Sequence, residues 1–374
     1  MNNKNYFDLE PGIIHLNHAA VAPWPRKTVQ TVKSFADENG SRGSGRYLQW
    51  VALETELRQR LAQLINAPSY NEIALLKSTS EGLSVIAYGL DWNAGDNIVI
   101  AAEEFPSNRI VWQSLQSQGV EVRLVDVSST DTPEQALIEQ FDSRTRLLSI
   151  SSVQYASGLR LQLDILGQAC KAQGILYCVD AIQHIGALRF DVQAIDADFV
   201  VADGHKWMLG PEGLALFYCR HSLIPQLKLH QYGWHMLENL DFDQMNDWTP
   251  AASARRFECG SPNMTGIHAL HASIGLLLDI GMDTIEASVL GNVQFLINSF
   301  NDQPDIQILS HTRANRFGGI FTFKKTGAET IALYQYLVDK GVLCAPRSGG
   351  IRFSPHFHTQ REQLEAVVDY VNSY

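Results

Sequence analysis

The sequence predicts an α/β protein whose central β-sheet is mostly parallel. Short apolar runs with the length of buried strands alternate, through the first two thirds of the chain, with segments long enough to form a helix. The chain has 374 residues, which at roughly 150 residues per domain is long enough for two domains. Hydrophobic residues make up 45% and charged residues 18% of it, a globular composition that argues against long disordered stretches.

The elements of the larger predicted domain follow one another along the chain. The first is a helix over residues 53–65, because Leu53, Leu57 and Leu61 recur on one helical face. Helices are also expected over residues 107–118 and 164–173. Ligands bind at the carboxyl ends of the strands in such sheets. The runs typical of buried strands cover residues 97–101, 121–127, 146–153, 175–180, 198–202 and 214–218.

The last part of the chain has a different pattern and predicts a smaller α+β domain. Thr359 and Glu362 have the spacing of a capping box at the start of a final helix. Three apolar runs before that helix are typical of strands, over residues 306–310, 318–324 and 350–354. We expect the boundary between the domains in a helix-rich connection within residues 260–295. The predicted division is an N-terminal segment (1–15), a large domain (16–265), and a connecting helix with the small domain (266–374).

Charge and cysteine content exclude several classes of protein. The formal charge of −11 is a poor match for nucleic acid or an anionic membrane surface. No apolar run is long enough for a transmembrane helix, and the first twelve residues lack the apolar core of a signal peptide. The five cysteines are scattered without CxxC spacing, so we expect neither a metal site nor a disulfide framework. These features favour a cytoplasmic enzyme.

Lys206 and Asp180 are the strongest candidates for chemistry. Lys206 follows the strand at 198–202, where a lysine shielded from water can form a Schiff base with an aldehyde. Asp180 ends the strand at 175–180, where a carboxylate can keep a pyridinium nitrogen protonated, and Gln183 nearby could donate to a ring oxygen. The alternatives are a surface lysine in a loop for Lys206 and a helix N-cap for Asp180.

Two further segments could bind other parts of a ligand that carries this aldehyde and pyridinium ring. Residues 78–82 (Ser-Thr-Ser-Glu-Gly) open a helical pattern, and hydroxyls with free N–H groups at a helix start can bind a phosphate. Phe105 follows the strand at 97–101, where an aromatic ring can stack on a planar ligand. Taken singly, the first is a common helix cap and the second is more often core filling.

Together these motifs resemble the class V, fold-type I family of enzymes that use pyridoxal 5′-phosphate (PLP). This family includes cysteine desulfurases, selenocysteine lyases, isopenicillin N epimerases, kynureninases and class V aminotransferases. The resemblance runs from the segment Leu16–Ala20 to the segment Ile351–His356. It implies a large domain with a mostly parallel seven-stranded sheet, a smaller α+β C-terminal domain, an amino-acid substrate and a homodimer with active sites at the interface.

The resemblance also implies a role for each matching residue. Lys206 would form the internal aldimine with PLP, Asp180 would bind the pyridine nitrogen, and Gln183 the ring oxygen. Arg352 would bind the substrate α-carboxylate, unless it forms an exposed salt bridge. Further contacts to the cofactor would come from Thr79, Ser80, Phe105, Tyr155, Asp203 and His205. Gly260 and Ser261 would contact the phosphate bound in the partner subunit. Asn17 and His18 are further candidates for substrate contacts.

The reaction is less constrained than the cofactor, because one PLP scaffold supports many chemistries. Desulfurases attack the substrate sulfur with a mobile cysteine, which the related lyases carry in a loop before the carboxylate arginine. Here residues 347–352 leave no room for that loop, and Cys344 fits a buried apolar position better. We therefore expect a class V aminotransferase. The alternatives are a desulfurase-like, selenocysteine-lyase-like or epimerase-like enzyme, and a PLP-fold sensor or partner module without turnover.

Overall fold

The chain folds around a central seven-stranded sheet in the computed structural model, which describes residues 6–239 and 247–374. The strand order is β2-β8-β7-β6-β5-β3-β4, and all neighbours are parallel except that β8 runs antiparallel to both β2 and β7. The predicted fold class is confirmed. After the short strand β1 (Ile14–His15), the strands of this sheet are β2 (Ile73–Leu76), β3 (Asn97–Ala101), β4 (Glu121–Val125), β5 (Thr145–Ser151), β6 (Leu176–Asp180), β7 (Phe199–Asp203) and β8 (Ala215–Cys219).

Helices cover both faces of this sheet, so its inner strands are apolar on both sides. In β3, Ile98 and Ile100 pack into one hydrophobic core, while Val99 and Ala101 pack into the core on the other face. This arrangement explains why the strands read as continuous apolar runs. The helices are α1 (Arg26–Arg42), α2 (Tyr47–Leu64), α3 (Thr79–Gly89), α4 (Ser107–Gln113), α5 (Pro133–Ile138), α6 (Leu163–Gln173), α7 (Met264–Ile280), α8 (Met282–Phe300), α9 (Thr330–Asp339) and α10 (Arg361–Ser373).

A second, four-stranded antiparallel sheet lies in the last quarter of the chain, in the order β12-β13-β10-β9. Its core includes the rings of Phe300, Phe321 and Phe323, whose centroids lie 5.0–5.8 Å apart. The strand β11 pairs with β1, which ties the N-terminal segment to this region. The strands are β9 (Ile306–Ile308), β10 (Phe321–Lys325), β11 (Val342–Leu343), β12 (Ala345–Arg347) and β13 (Gly350–Phe353).

Two local predictions differ from the structure. Helix α2 begins at Tyr47, six residues before the predicted start, and most side chains of its first turn are exposed. The expected capping box between Thr359 and Glu362 is wrong. The hydroxyl of Thr359 instead accepts the N–H of His356 at 3.1 Å, and the N-cap of α10 is Gln360. Within the described residues, no helix is both long and apolar enough to cross a membrane.

Candidate active site

A cleft of about 230 Å³ lies at the carboxyl ends of β6 and β7. Every predicted site residue except Asn17, His18, Gly260 and Ser261 lines it. Residues from the carboxyl edge of the sheet therefore meet residues from near the N-terminus and from the C-terminal region in one cleft, as expected for this type of sheet. The lining residues are Ala19, Ala20, Thr79, Ser80, Phe105, Ser107, Tyr155, Asp180, Ile182, Gln183, Asp203, His205, Lys206, Arg347 and Arg352.

Lys206 is buried in this cleft and is not a surface lysine. Burial lowers the pKa of its ammonium group, and the positive charge of Arg352 lowers this pKa further, against the opposing effect of Asp180. The ammonium nitrogen lies 5.5 Å from the ring centre of Phe105. A lysine with a lowered pKa has a larger neutral fraction, which is the form that reacts with a carbonyl group.

Asp180 ends β6 and is 2% exposed. Burial raises the pKa of this carboxyl group, and the nearby buried Glu104 raises it further. The helix N-cap alternative is wrong, because the segment between β6 and β7 holds turns and no helix. Its Oδ1 instead accepts the N–H of Ile182 at 3.1 Å. A carboxyl group held in this way can share a proton with a ring nitrogen in the cleft.

The start of α3 forms a cradle for an anion. Gly82 allows α3 to approach β7, since a Cβ there would lie 2.7 Å from Cγ1 of Val201. The helix start therefore sits at the end of β7, beside the cleft. The hydroxyl of Thr79 and Nδ1 of His205 are buried there without a hydrogen-bond partner among the described residues. Unpartnered polar groups beside a helix start fit a phosphate.

Asp203 lies in this cradle beside Thr79 and His205, and its predicted contact with the phosphate stays a prediction. Its Oδ2 accepts the N–H of Thr79 at 3.2 Å, and its Oδ1 lies 3.4 Å from Nδ1 of His205. A carboxylate and a phosphate repel each other. Asp203 therefore fits the role of orienting Thr79 and His205 better than that of a direct phosphate contact.

Arg352 is a buried cation whose guanidinium group is largely unpaired. It is 2% exposed, and its Nη1 donates to the carbonyl of Tyr155 at 2.7 Å. Its Nε and Nη2 have no hydrogen-bond partner in the described chain. Burial lowers its pKa, but a guanidinium group stays charged at neutral pH. The exposed salt-bridge alternative is therefore wrong, and the two free donors fit a carboxylate ligand.

Arg347 is a cleft residue that the sequence analysis missed. It lies on β12, which a two-residue turn through Ser348 and Gly349, both with positive φ, joins to β13. Because Ala345 pairs directly with Arg352, Arg347 projects from the same face of the hairpin as Arg352. The signal was present in the sequence: a Ser-Gly turn of this length fixes the register of the two strands.

Asn17 and His18 lie outside the cleft lining. Nδ1 of His18 lies 2.9 Å from the carbonyl of Ser354, and the His18 ring is fully buried. Asn17 forms a bridge with Ser354. Their role as substrate contacts stays a prediction that this geometry does not favour.

Gly260 and Ser261 line a separate cavity of about 300 Å³. The segment before them is fixed by Glu258, whose carboxylate accepts Arg58 Nη2 at 2.7 and 2.8 Å and the N–H of Leu75 at 2.9 Å. Gly260 and Ser261 do not line the cleft of their own chain, which is compatible with a contact to a partner subunit. That contact stays a prediction.

The cysteines take no part in the cleft lining of the described chain. Cys344 is 4% exposed and packs in the hydrophobic core of the second sheet. Burial raises the pKa of its thiol to about 12, so a thiolate is scarcely populated at neutral pH. Cys259 is partly exposed, and its Sγ donates to Oε1 of Gln231 at 3.3 Å.

Known proteins resemble the chain over most of its length. The family model of class-V aminotransferases matches residues 14–367. A probable cysteine desulfurase of Methanothermobacter thermautotrophicus is 33% identical over 279 residues, which cover 73% of this chain and 68% of that protein. A probable cysteine desulfurase of Streptomyces coelicolor is 28% identical over 344 residues, covering 88% and 81%.

Two solved structures share the fold. The cysteine desulfurase CsdA from Escherichia coli superimposes with a TM-score of 0.88 at 20% identity, over 99% of this chain and 96% of that one. The cystine C-S lyase C-DES, in complex with its product cysteine persulfide, gives a TM-score of 0.89 at 20% identity, over 96% and 97%. At this level of identity the likeness shows the fold alone.

Proposed function

The chain belongs to the class-V aminotransferase family, and from this premise we propose that it is a lyase that cleaves the carbon–sulfur bond of a cysteine-type amino acid. It is a PLP enzyme of that family. The relatives named cysteine desulfurases favour carbon–sulfur cleavage over the transamination expected from the sequence. The lyase alternative is therefore better supported than the aminotransferase.

The described residues fit PLP by their chemistry. Thr79 and His205 offer unpartnered polar atoms to its phosphate, Phe105 offers a ring face, and Asp180 offers a buried carboxyl group to its ring nitrogen. Lys206 provides the amine that the aldehyde requires. When bound, the cofactor withdraws electrons from the substrate's α-carbon, so that a bond to that carbon can break.

Each of three side chains would have a separate task in the reaction. Arg352 binds the α-carboxylate through its two free donors, which fixes the direction of the Cα–H bond. Lys206 would remove the α-proton as a neutral amine. Asp180 keeps the ring nitrogen protonated, because its buried carboxyl group shares that proton.

The observation that favours elimination is the hairpin from Arg347 to Gly350. Its two-residue turn has no room for a loop with a nucleophilic cysteine, and Cys344 beside it is buried. In the proposed reaction the sulfur leaves without a protein thiol. In elimination, the α-proton is removed and the electron pair of the bond between the β-carbon and sulfur leaves with the sulfur. Water then hydrolyses the remaining three-carbon fragment to pyruvate and ammonia. Cystine and water would give pyruvate, ammonia and cysteine persulfide.

Two arginines in one cleft favour a substrate with two carboxylates. Neither Arg347 nor Arg352 has an ion pair with an acidic side chain in the described chain. Arg352 can take the α-carboxylate, which leaves Arg347 for a distal anion. Cystine carries such a second carboxylate, and we propose that disulfide amino acids of this kind are preferred over cysteine.

Removal of the cysteines nearest the proposed sites should leave sulfur release nearly unchanged. The variants Cys344→Ala and Cys259→Ala should retain turnover of cystine within about twofold. Cys344→Ala should cost about 1 kcal/mol of stability through lost packing. The measurement is the initial rate of persulfide release, with Cys170→Ala as the control because it is also buried but lies on α6. Abolished sulfur release in Cys344→Ala or Cys259→Ala, with cofactor binding intact, would establish a desulfurase mechanism instead.

We also propose that the active form is a homodimer. Gly260 and Ser261 lie away from the cleft of their own chain, which suits a contact with the partner's cofactor. On α2, Tyr47, Leu48 and Val51 expose apolar surface, which commonly marks an interface. An active monomer would contradict this assembly.

A further inference from the structure

We propose that Trp207 is a positioning residue that fixes the side-chain amide of Gln183 for the ring oxygen of the cofactor. The inference rests on the PLP assignment and is independent of the bond that the enzyme cleaves. It starts from a hydrogen bond between two side chains 24 positions apart. Trp207 is fully buried, and Gln183 is 2% exposed and lines the cleft.

The indole N–H decides which way the amide of Gln183 points. Indole nitrogen only donates, so the amide atom that faces it at 2.8 Å is the oxygen Oε1. The amide nitrogen Nε2 then lies on the other side, where one of its hydrogens is donated to the carbonyl of Ala19 at 3.1 Å. Its second hydrogen is left for a ligand in the cleft, and the phenolic oxygen of PLP is an acceptor of matching chemistry.

Packing holds the indole of Trp207 in place. Its ring lies 6.0 Å from the ring of His18 and 5.4 Å from that of His356, and Nε2 of His356 lies 3.1 Å from the carbonyl of Trp207. A Cβ on Gly319 would lie 2.4 Å from Cη2 of the indole, so only glycine leaves room there.

The histidines around Trp207 stay neutral at neutral pH. Burial lowers the pKa of His18 well below its usual value and that of His356 to about 4. The groups that face them include His15 and His358, whose pKa values burial also lowers. The indole is thus bordered on this side by uncharged rings. The titratable and charged groups that share the cleft with Gln183 are Asp180, Asp203, His205, Lys206, Arg347 and Arg352.

Loss of the indole donor should change the ionisation of the lysine-bound cofactor. A hydrogen bond donated to the ring oxygen stabilises negative charge on that oxygen, which favours the deprotonated form. Without the indole, the amide of Gln183 can turn its oxygen toward the ring oxygen, where two acceptors repel. The pH midpoint of the visible absorption band should therefore rise, by about one pKa unit.

The test is a spectrophotometric pH titration of the holoenzyme without substrate. Trp207→Phe keeps an aromatic ring and removes the donor, and its midpoint should rise by about one unit. Gln183→Met keeps the length of the side chain and removes the amide, and it should produce a similar rise. In the double variant, Trp207→Phe should add nothing to Gln183→Met, because Trp207 acts through the amide.

Trp92→Phe is the matched control. Its indole N–H donates to the carbonyl of Ala87 at 2.7 Å and Trp92 does not line the cleft, so its midpoint should match the parent. The proposal is wrong if either Trp207→Phe or Gln183→Met binds PLP with the parental midpoint, or if their effects simply add. Should Trp207→Phe not fold, a parental midpoint in Gln183→Met would still overturn the proposal. A parent protein that binds no PLP would instead overturn the cofactor assignment.

Discussion

Replacement of Lys206 by alanine should reduce turnover by about three orders of magnitude or more while PLP still binds. The lysine is the proposed base for the α-proton, and a positioned base contributes about 10²–10⁴ in rate. Its loss also removes the covalent attachment of the cofactor. The proposed phosphate contacts of Thr79 and His205, together with Asp180, should retain PLP more weakly.

Covalent trapping provides the measurement for this variant. Borohydride reduction of the parent should attach the cofactor to the peptide that contains Lys206, and reduction of Lys206→Ala should attach none. Lys77→Ala is a suitable control, because Lys77 is exposed near the start of α3 and does not line the cleft. A modified lysine at any other position would contradict the site assignment.

Substitution of Arg352 by lysine should weaken amino-acid binding by about 1.5–3 kcal/mol, or roughly tenfold to a hundredfold. Lysine keeps the charge but cannot offer two parallel donors to one carboxylate. The resting spectrum should be unchanged, because Arg352 is proposed to contact the substrate and not the cofactor. A spectral titration with cystine and with S-methylcysteine measures the change.

Arg347→Lys is the matched substitution on the neighbouring strand. It should weaken cystine binding and leave S-methylcysteine, which has no distal carboxylate, nearly unaffected. Unchanged affinity in Arg352→Lys would remove Arg352 from the substrate site. Equal losses for both amino acids in Arg347→Lys would contradict the assignment of Arg347 to a distal anion.

The strands of the central sheet could be predicted because burial on two faces leaves a direct mark on the sequence. A strand such as β3 is apolar at every position, with Ile98 and Val99 in different cores. The first turns of α2 leave no such mark, because their side chains are partly exposed. The start of α10 was misplaced because the hydroxyl of Thr359 closes the preceding turn.

Site residues at strand ends could be placed from the sequence for a similar reason. Asp180 ends β6 and Lys206 follows β7, and these two strands are neighbours in the sheet, so the approach of the two residues follows from topology. Arg347 depends on the register of a hairpin, and the contact between Trp207 and Gln183 depends on how two loops pack. Local sequence patterns do not encode how those two loops pack, whereas the register of the hairpin follows from its two-residue turn.

The reaction could not be predicted as closely as the cofactor. The motifs at Asp180 and Lys206 specify PLP, and the cofactor then supports several reactions. The short hairpin before Arg352 argues against a mobile cysteine, which is why the sequence alone favoured an aminotransferase. Relatives named cysteine desulfurases favour carbon–sulfur cleavage. Elimination accommodates both observations, because it breaks that bond without a protein thiol.

Product analysis with cystine tests the central claim most directly. Purified holoenzyme, incubated with cystine and no added keto acid, should form pyruvate, ammonia and cysteine persulfide in equal amounts, without alanine. Alanine formed together with a persulfide on a protein cysteine would show desulfuration. A keto acid that appears only when an amino-group acceptor is added would show transamination, and either result would contradict the proposed elimination.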